Sequence, residues 1–172
     1  VADLRAARGF FETLTVWEHL RFTAELYEVP KAKERGERLL NTFGLMEKRD
    51  HFTGQLSRGQ RQALGIICAF LHRPKFMILD EPMTALDPAK IHTLNEIIRS
   101  TAKEGTAFIL SSHLLTILEQ TYTKVLVMNQ GKRIYYATAK EVEETRKKGG
   151  KDIPLEELFF RVTHSNEPHH SR

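Results

Sequence analysis

The chain has 172 residues, is 41% hydrophobic and 28% charged, and carries a net charge of +4. That suits one ordinary domain or a piece of a larger one, allows a sizeable core and removes disorder as the default. No apolar run approaches the roughly 18–20 residues that span a bilayer, and no signal peptide is visible. Cys68, the single cysteine, excludes an internal disulfide or a cysteine-based zinc site. A reducing, cytosolic setting is expected, with Cys68 as a buried structural thiol.

Residues 1–13 show no clear period, begin without methionine and read as a cut edge. Thr15 and Glu18 then form a capping-box pattern for a helix with Trp17, Leu20, Ala24 and Tyr27 on one face. Pro30 ends that helix or starts the next, and Leu39, Leu40 and Phe43 belong to a second amphipathic helix closed by Gly44. Ser57 and Gln60 make another capping box. The third helix that it opens buries Leu64, Ile67, Cys68 and Leu71, and Pro74 stops it after Arg73.

The pattern then changes. "KFMILD" and "TAFILSSH" are short apolar runs that fit strands covered on both faces. Between them Pro88 to Lys103 predicts a helix with Ile91, Leu94, Ile97 and Ile98 inward, ended by Gly105. A short helix from Leu114 to about Gln120 leads to a third run, "KVLVM", and "NQG" turns it into the hairpin partner "KRIYYA". Helical stretches at Ala139–Lys148 and Pro154–Val162 close the chain. Arg146, Lys147, Lys148 and Lys151 form the densest basic stretch. It reads as a solvated helix end rather than a nucleic-acid or lipid patch. The order predicts a helical subdomain followed by part of a parallel, doubly wound α/β sheet.

In such a sheet, ligands bind beyond the carboxyl ends of the strands. Asp80 and Glu81 follow one strand there, and Ser111, Ser112 and His113 follow another. Asp80 suits a magnesium site, Glu81 could orient or deprotonate a water, and His113 could donate to a phosphate oxygen. Each has a plainer reading: the acids begin a loop, His113 is a hydrogen-bonded loop histidine, and Asp87 caps the helix at Pro88. The free N–H groups at the start of the third helix favour an anion, with Ser57 and Gly59 beside them, although a plain capping box explains the same residues.

"LSRGQ" at 56–60, "FMILDEP" at 76–82, "TALDP" at 84–88 and "SSH" at 111–113 occur in an order and spacing that resembles the signature motif, Walker B, D-loop and switch-histidine loop of an ABC transporter nucleotide-binding domain. The resemblance runs from about Phe10 to Ala137 and implies a P-loop NTPase (RecA-like) α/β fold of ABC ATPase type. It divides the chain into a Q-loop remnant and helical subdomain at 1–74, the C-terminal part of the RecA-like core at 75–137, and a helical extension at 138–172. It further implies ATP and Mg2+ as cofactors. Asp80 would assist the metal, Glu81 would act on the hydrolytic water, and His113 would contact the γ-phosphate. Ser57, Arg58, Gly59 and Gln60 would close over ATP held by the opposite subunit of a homo- or heterodimer, with Asp87 at that interface. A basic residue at position 58, where the commonest motif has glycine, is familiar in exporter-type members.

Two features depart from the family pattern. G-x-x-x-x-G-K-[ST], Walker A, is absent: Gly131-Lys132 falls in the hairpin turn, and Arg133 follows it. The expected Q-loop position, near Ala6 or Ala7, has no glutamine. The chain therefore resembles the C-terminal two-thirds of a cassette, truncated at its N-terminus, inactive alone and marginal in isolation. "IPLEELFFRVTH" and "LTVWEHLRFTAELY" resemble drug, antibiotic and lipid exporters. That implies a transmembrane permease partner, contacted near Phe10, Phe11 and Trp17 unless these aromatics only pack in the core. It also implies a peripheral location on the inner face of the membrane, and no nucleic acid. The competing readings are a non-catalytic module that completes an ATP site on a partner subunit and a DNA-repair-type ABC ATPase. Compactness before Leu56 and the lack of a strong basic patch argue against the latter.

Overall fold

Helix α1 (Val16–Leu26) begins where Thr15 accepts the Glu18 amide and the Glu18 carboxylate accepts the Thr15 amide, so two of the unpaired donors at a helix start are satisfied locally. A computed structural model describes residues 2–3, 9–113, 115, 121–147 and 153–164. They form two compact units by packing, Val1–Ser112 and His113–Arg172. The expected Q-loop position and most of the expected 114–120 helix lie outside the described residues.

In the first unit α1, α2 (Ala32–Thr42) and α3 (Arg58–Leu71) pack on one another. The buried side of α1 differs from the expected stripe: it is Val16, His19, Leu20 and Ala24. Trp17 lies at the edge with the Arg49 guanidinium 4.4 Å above its ring, and Tyr27 is half-exposed. The chain before α1 turns inward and gives His19 polar partners, so a polar side chain replaces an aromatic one in the core. The Phe11 amide donates to His19 Nε2 (3.0 Å), which leaves Nδ1 to carry the proton and donate to the Thr15 carbonyl (3.1 Å). Helix α3 ends at Leu71, two residues before the expected Arg73. Cys68 is half-buried rather than fully buried, but its sulfur is desolvated and the thiol is pushed up to about 11.

Strands β1 (Ala2–Asp3), β2 (Phe76–Asp80) and β3 (Ala107–Ser111) form a parallel sheet in that order. Helix α4 (Pro88–Lys103) joins β2 to β3 with the expected bounds, and buries Leu94, Asn95 and Ile98. Only Met77 and Leu79 of β2 are buried, and on β3 Ile109 is 56% exposed. The expectation of strands covered on both faces fails because an apolar run reports what a strand could bury, whereas burial needs a second layer.

In the second unit β4 (Lys124–Asn129) and β5 (Lys132–Thr138) pair antiparallel across Gln130 and Gly131, both at positive φ, as a tight hairpin turn requires. Among the described residues, "KVLVM" therefore joins a separate two-stranded sheet rather than the parallel one. Its nearest partner in sequence is available at little loop-closure cost. Helices α5 (Ala139–Lys147) and α6 (Leu155–His164) follow, and Ala137, Val142, Leu155 and Leu158 make this unit's core. Thr138 and Glu141 form a third capping box. At the end of α5, Arg146 donates to the Ile153 carbonyl (2.5 Å) and Lys147 pairs with Glu143 (2.5 Å). No helix among the described residues is long and apolar enough to cross a membrane.

Candidate functional site

Asp80 and Ser111 are register partners, the last residues of β2 and β3, so parallel pairing brings a carboxylate and a hydroxyl to one rim. The Ser111 hydroxyl donates to Asp80 Oδ1 (2.5 Å) and accepts the Glu81 amide (3.0 Å). One serine thus ties both acids to the neighbouring strand. Its amide bond is made at a Glu81 backbone with φ 45, a conformation uncommon for a residue with a side chain. Left-handed backbone at a non-glycine residue persists where surrounding bonds over-determine it, a pattern that clusters at functional sites. Sequence reading named Ser111 only by position; its bridging role needed the register.

The loop after Glu81 is fastened to α3 at two points. Gln62 Nε2 donates to the Pro82 carbonyl (3.1 Å). The Ala85 carbonyl, on a residue at φ 67, presses against Gly59, where an added Cβ would collide with it. Gly59 was expected to leave room for a phosphate. In the structure the side of Gly59 where a Cβ would stand is taken by the chain's own Ala85 carbonyl, so the missing side chain lets the acid-bearing loop pack across the helix start. Gln62 was missed, with no local signal to mark it.

Ser57 and Gln60 form the expected capping box: Ser57 Oγ accepts the Gln60 amide (3.2 Å) and Gln60 Oε1 accepts the Ser57 amide (2.9 Å). Accepting leaves the serine's own O–H to donate, so capping and anion contact are compatible. Arg58, the first residue of α3, is exposed. Asp87 caps α4, accepting the Lys90 amide at Oδ1 (2.9 Å) and pairing with the Lys90 ammonium, and these bonds hold its carboxyl below the usual range. Helix α3, the acid loop and the start of α4 thereby bring Ser57, Gly59, Gln60, Asp80, Glu81 and Asp87 into one unit. His113 is exposed and opens the second unit.

Among the described residues no group of three or more His, Cys, Asp or Glu is placed to hold a metal. Asp80 is a single oxygen donor with one oxygen engaged by Ser111. That fits a magnesium ion, which keeps several waters and takes one or two carboxylates beside phosphate.

The family profile described as "ABC transporter" matches residues 1–84, a stretch that holds the α3 start and both acids. The chain is 32% identical over 161 residues to the ABC-type transporter ATP-binding protein EcsA of Bacillus subtilis (strain 168), covering 92% of this chain and 64% of the relative. It is 38% identical over 125 residues to the bacitracin transport ATP-binding protein BcrA of Bacillus licheniformis, covering 72% and 40%. A solved structure described as the ATP-binding subunit of an ABC transporter superposes with a TM-score of 0.84 at 30% identity, over 94% of this chain and 68% of that one. The chain belongs to the ABC transporter ATP-binding family. Its parallel sheet and helices are accordingly those of the family's P-loop NTPase fold. This family member spans 64% and 40% of the lengths of the two curated relatives.

Proposed function

We propose that the chain supplies the acid-bearing and signature parts of an ATP site in the ATP-hydrolysing subunit of an ABC exporter. The observation that carries this reading is the serine bridge joining Asp80 and Glu81 at the carboxyl ends of β2 and β3. In this reading residues 1–74 hold a Q-loop remnant and the helical subdomain ending in the signature helix, 75–137 the C-terminal part of the core, and 138–172 a helical extension. Asp80 assists Mg2+, which when bound neutralises charge on phosphate oxygens. Glu81, fixed through its own amide, orients and deprotonates the attacking water. His113 donates to the γ-phosphate. Ser57, still able to donate while it caps α3, closes with Arg58, Gly59 and Gln60 over ATP held by an opposite subunit in a homo- or heterodimer, and Asp87 lies at that interface.

A permease partner is supported by the aromatic surface beside α1. The Phe11 carbonyl accepts from buried Thr53 (2.8 Å) and its amide is held by His19, yet its ring is 57% exposed and meets Phe22 edge-on. A fixed backbone that displays an apolar ring suits docking better than core packing. Such a subunit works as a peripheral protein on the inner face of the membrane. Similarity to a bacitracin transport protein supports a role in transport.

The 172 residues contain no G-x-x-x-x-G-K-[ST], so the chain alone is expected not to turn over ATP. A second reading is favoured by the intact cap of α3: a module that completes an ATP site on a partner subunit without hydrolysing ATP itself. Joining a phosphate-loop segment of a cassette subunit to the start of the chain separates the two, because Glu81 acts on ATP held by its own chain. Glu81→Gln is expected to lower ATP turnover by about 100-fold or more while ATP-dependent association persists. Unchanged turnover in Glu81→Gln, with loss in Ser57→Ala, assigns the second reading.

A further inference from the structure

The C-terminus of α3 and the connection between α1 and α2 enclose an open cavity of about 520 Å³, the size of a small-ligand site. Helix α3 has 14 residues, which sets this end roughly 20 Å from Ser57. The charged lining has one sign: Lys31, Arg35, Arg38 and Arg73, with His72 among them.

Two observations separate this from an ordinary solvated basic face. Arg35 is fixed, Nε donating to the Leu71 carbonyl and Nη2 to the Phe70 carbonyl, each at 2.7 Å. It therefore cannot swing away from its like-charged neighbours. Burial first, then repulsion from Arg73 and Arg38, lowers its pKa, with Glu104 acting in the opposite direction. Second, His72 lies flat on Tyr27, ring centroids 3.9 Å apart, and both its ring nitrogens are buried without a hydrogen-bond partner. The Cys68 carbonyl, one turn back, acts on the ring only outside hydrogen-bond geometry. An orphaned buried polar atom is costly and rare in native folds. Lys31 and Arg73 are also held at φ 52 and φ 48, so two of the cations sit on backbone that residues with side chains seldom adopt.

We propose that this cavity binds a phosphoryl group, with Lys31, Arg38 and Arg73 neutralising it, Arg35 donating from a fixed guanidinium, and His72 donating from its otherwise unpartnered ring. Four permanent cations exceed what one carboxylate needs and match a dianion with several acceptor oxygens. The phosphoryl group belongs either to a soluble phosphate or to an anionic lipid headgroup. The site is separate from the ATP reading and stands or falls without it.

The test titrates inorganic phosphate into the chain by calorimetry at low ionic strength, and sediments the chain with phosphatidylcholine vesicles with and without phosphatidic acid. Saturable binding to one probe is expected. It should weaken at least about tenfold in Arg38→Ala/Arg73→Ala and in His72→Phe, which keeps a ring on Tyr27. Ser57→Ala is expected to bind as wild type, which separates this cavity from the signature helix start. Phosphate binding in solution assigns a soluble ligand; binding confined to phosphatidic acid vesicles assigns a headgroup. No binding to either probe, or variants that bind as wild type, overturns the proposal. Arg38 and Arg73 are exposed, so the double variant keeps the test decisive if His72→Phe does not fold.

Discussion

In α1–α3, Val16, Leu40, Leu64, Ile66 and Ile67 are wholly buried, whereas Ile109 on β3 and Leu126 and Met128 on β4 are each more than half exposed. Both regions are rich in apolar residues, and the difference lies in what covers them. Three helices cover one another, while a strand's neighbours in the sheet supply hydrogen bonds but leave its faces to another layer. The helices are therefore the self-supporting part of the first unit. The strands carry the candidate residues Asp80 and Ser111 at their ends, with less packing behind them.

The widest test of this contrast replaces one residue on each side. Leu64→Ala is expected to lower stability by about 2–5 kcal/mol, and Ile109→Ala by less than about 1 kcal/mol, in urea unfolding followed by circular dichroism. Equal losses would break the comparison. Next comes the seam between the regions. Gly59→Ala forces a methyl against the Ala85 carbonyl and is expected to cost about 1–3 kcal/mol and to displace the loop from Pro82 to Ala85. Spectra that place the loop unmoved would remove that seam.

The smallest effect depends on pH. Burial holds His19 below its ordinary value of 6.5, against the pull of the Thr15 carbonyl. A depressed folded-state value means that the unfolded chain binds the proton more readily. His19 therefore adds stability above pH 6.5 that is lost as pH falls through the folded value. His72 is shifted the same way, mainly by burial. Urea midpoints between pH 7.5 and 5 should fall, and His19→Gln should flatten part of that slope. An unaltered slope would place the sensitivity elsewhere.

What was legible in the sequence was local. Thr15–Glu18 and Ser57–Gln60 declare helix starts within four residues, Asp87-Pro88 and Gly105 bracket α4, and Gln130-Gly131 closes the hairpin. The candidate site was legible as a set of motifs, since the residue types and their order carry the chemistry. What escaped depends on residues far apart in the chain. Ser111 meets Asp80 only through strand register, Gln62 meets Pro82 across 20 residues, and the cations at 31–38 meet Arg73 only once α3 is folded back. Burial of β3 was misjudged for the same reason, because composition does not say whether a layer lies opposite.

The two fastenings between α3 and the loop have a mechanical meaning. Gln62 grips Pro82 by a hydrogen bond, and Gly59 meshes with Ala85 by contact, so the helix start and the loop engage like two teeth of one gear. Tilting α3 without moving the loop would break a bond at one tooth and open a gap at the other. The start of α3 and the loop that follows Glu81 are therefore expected to move together.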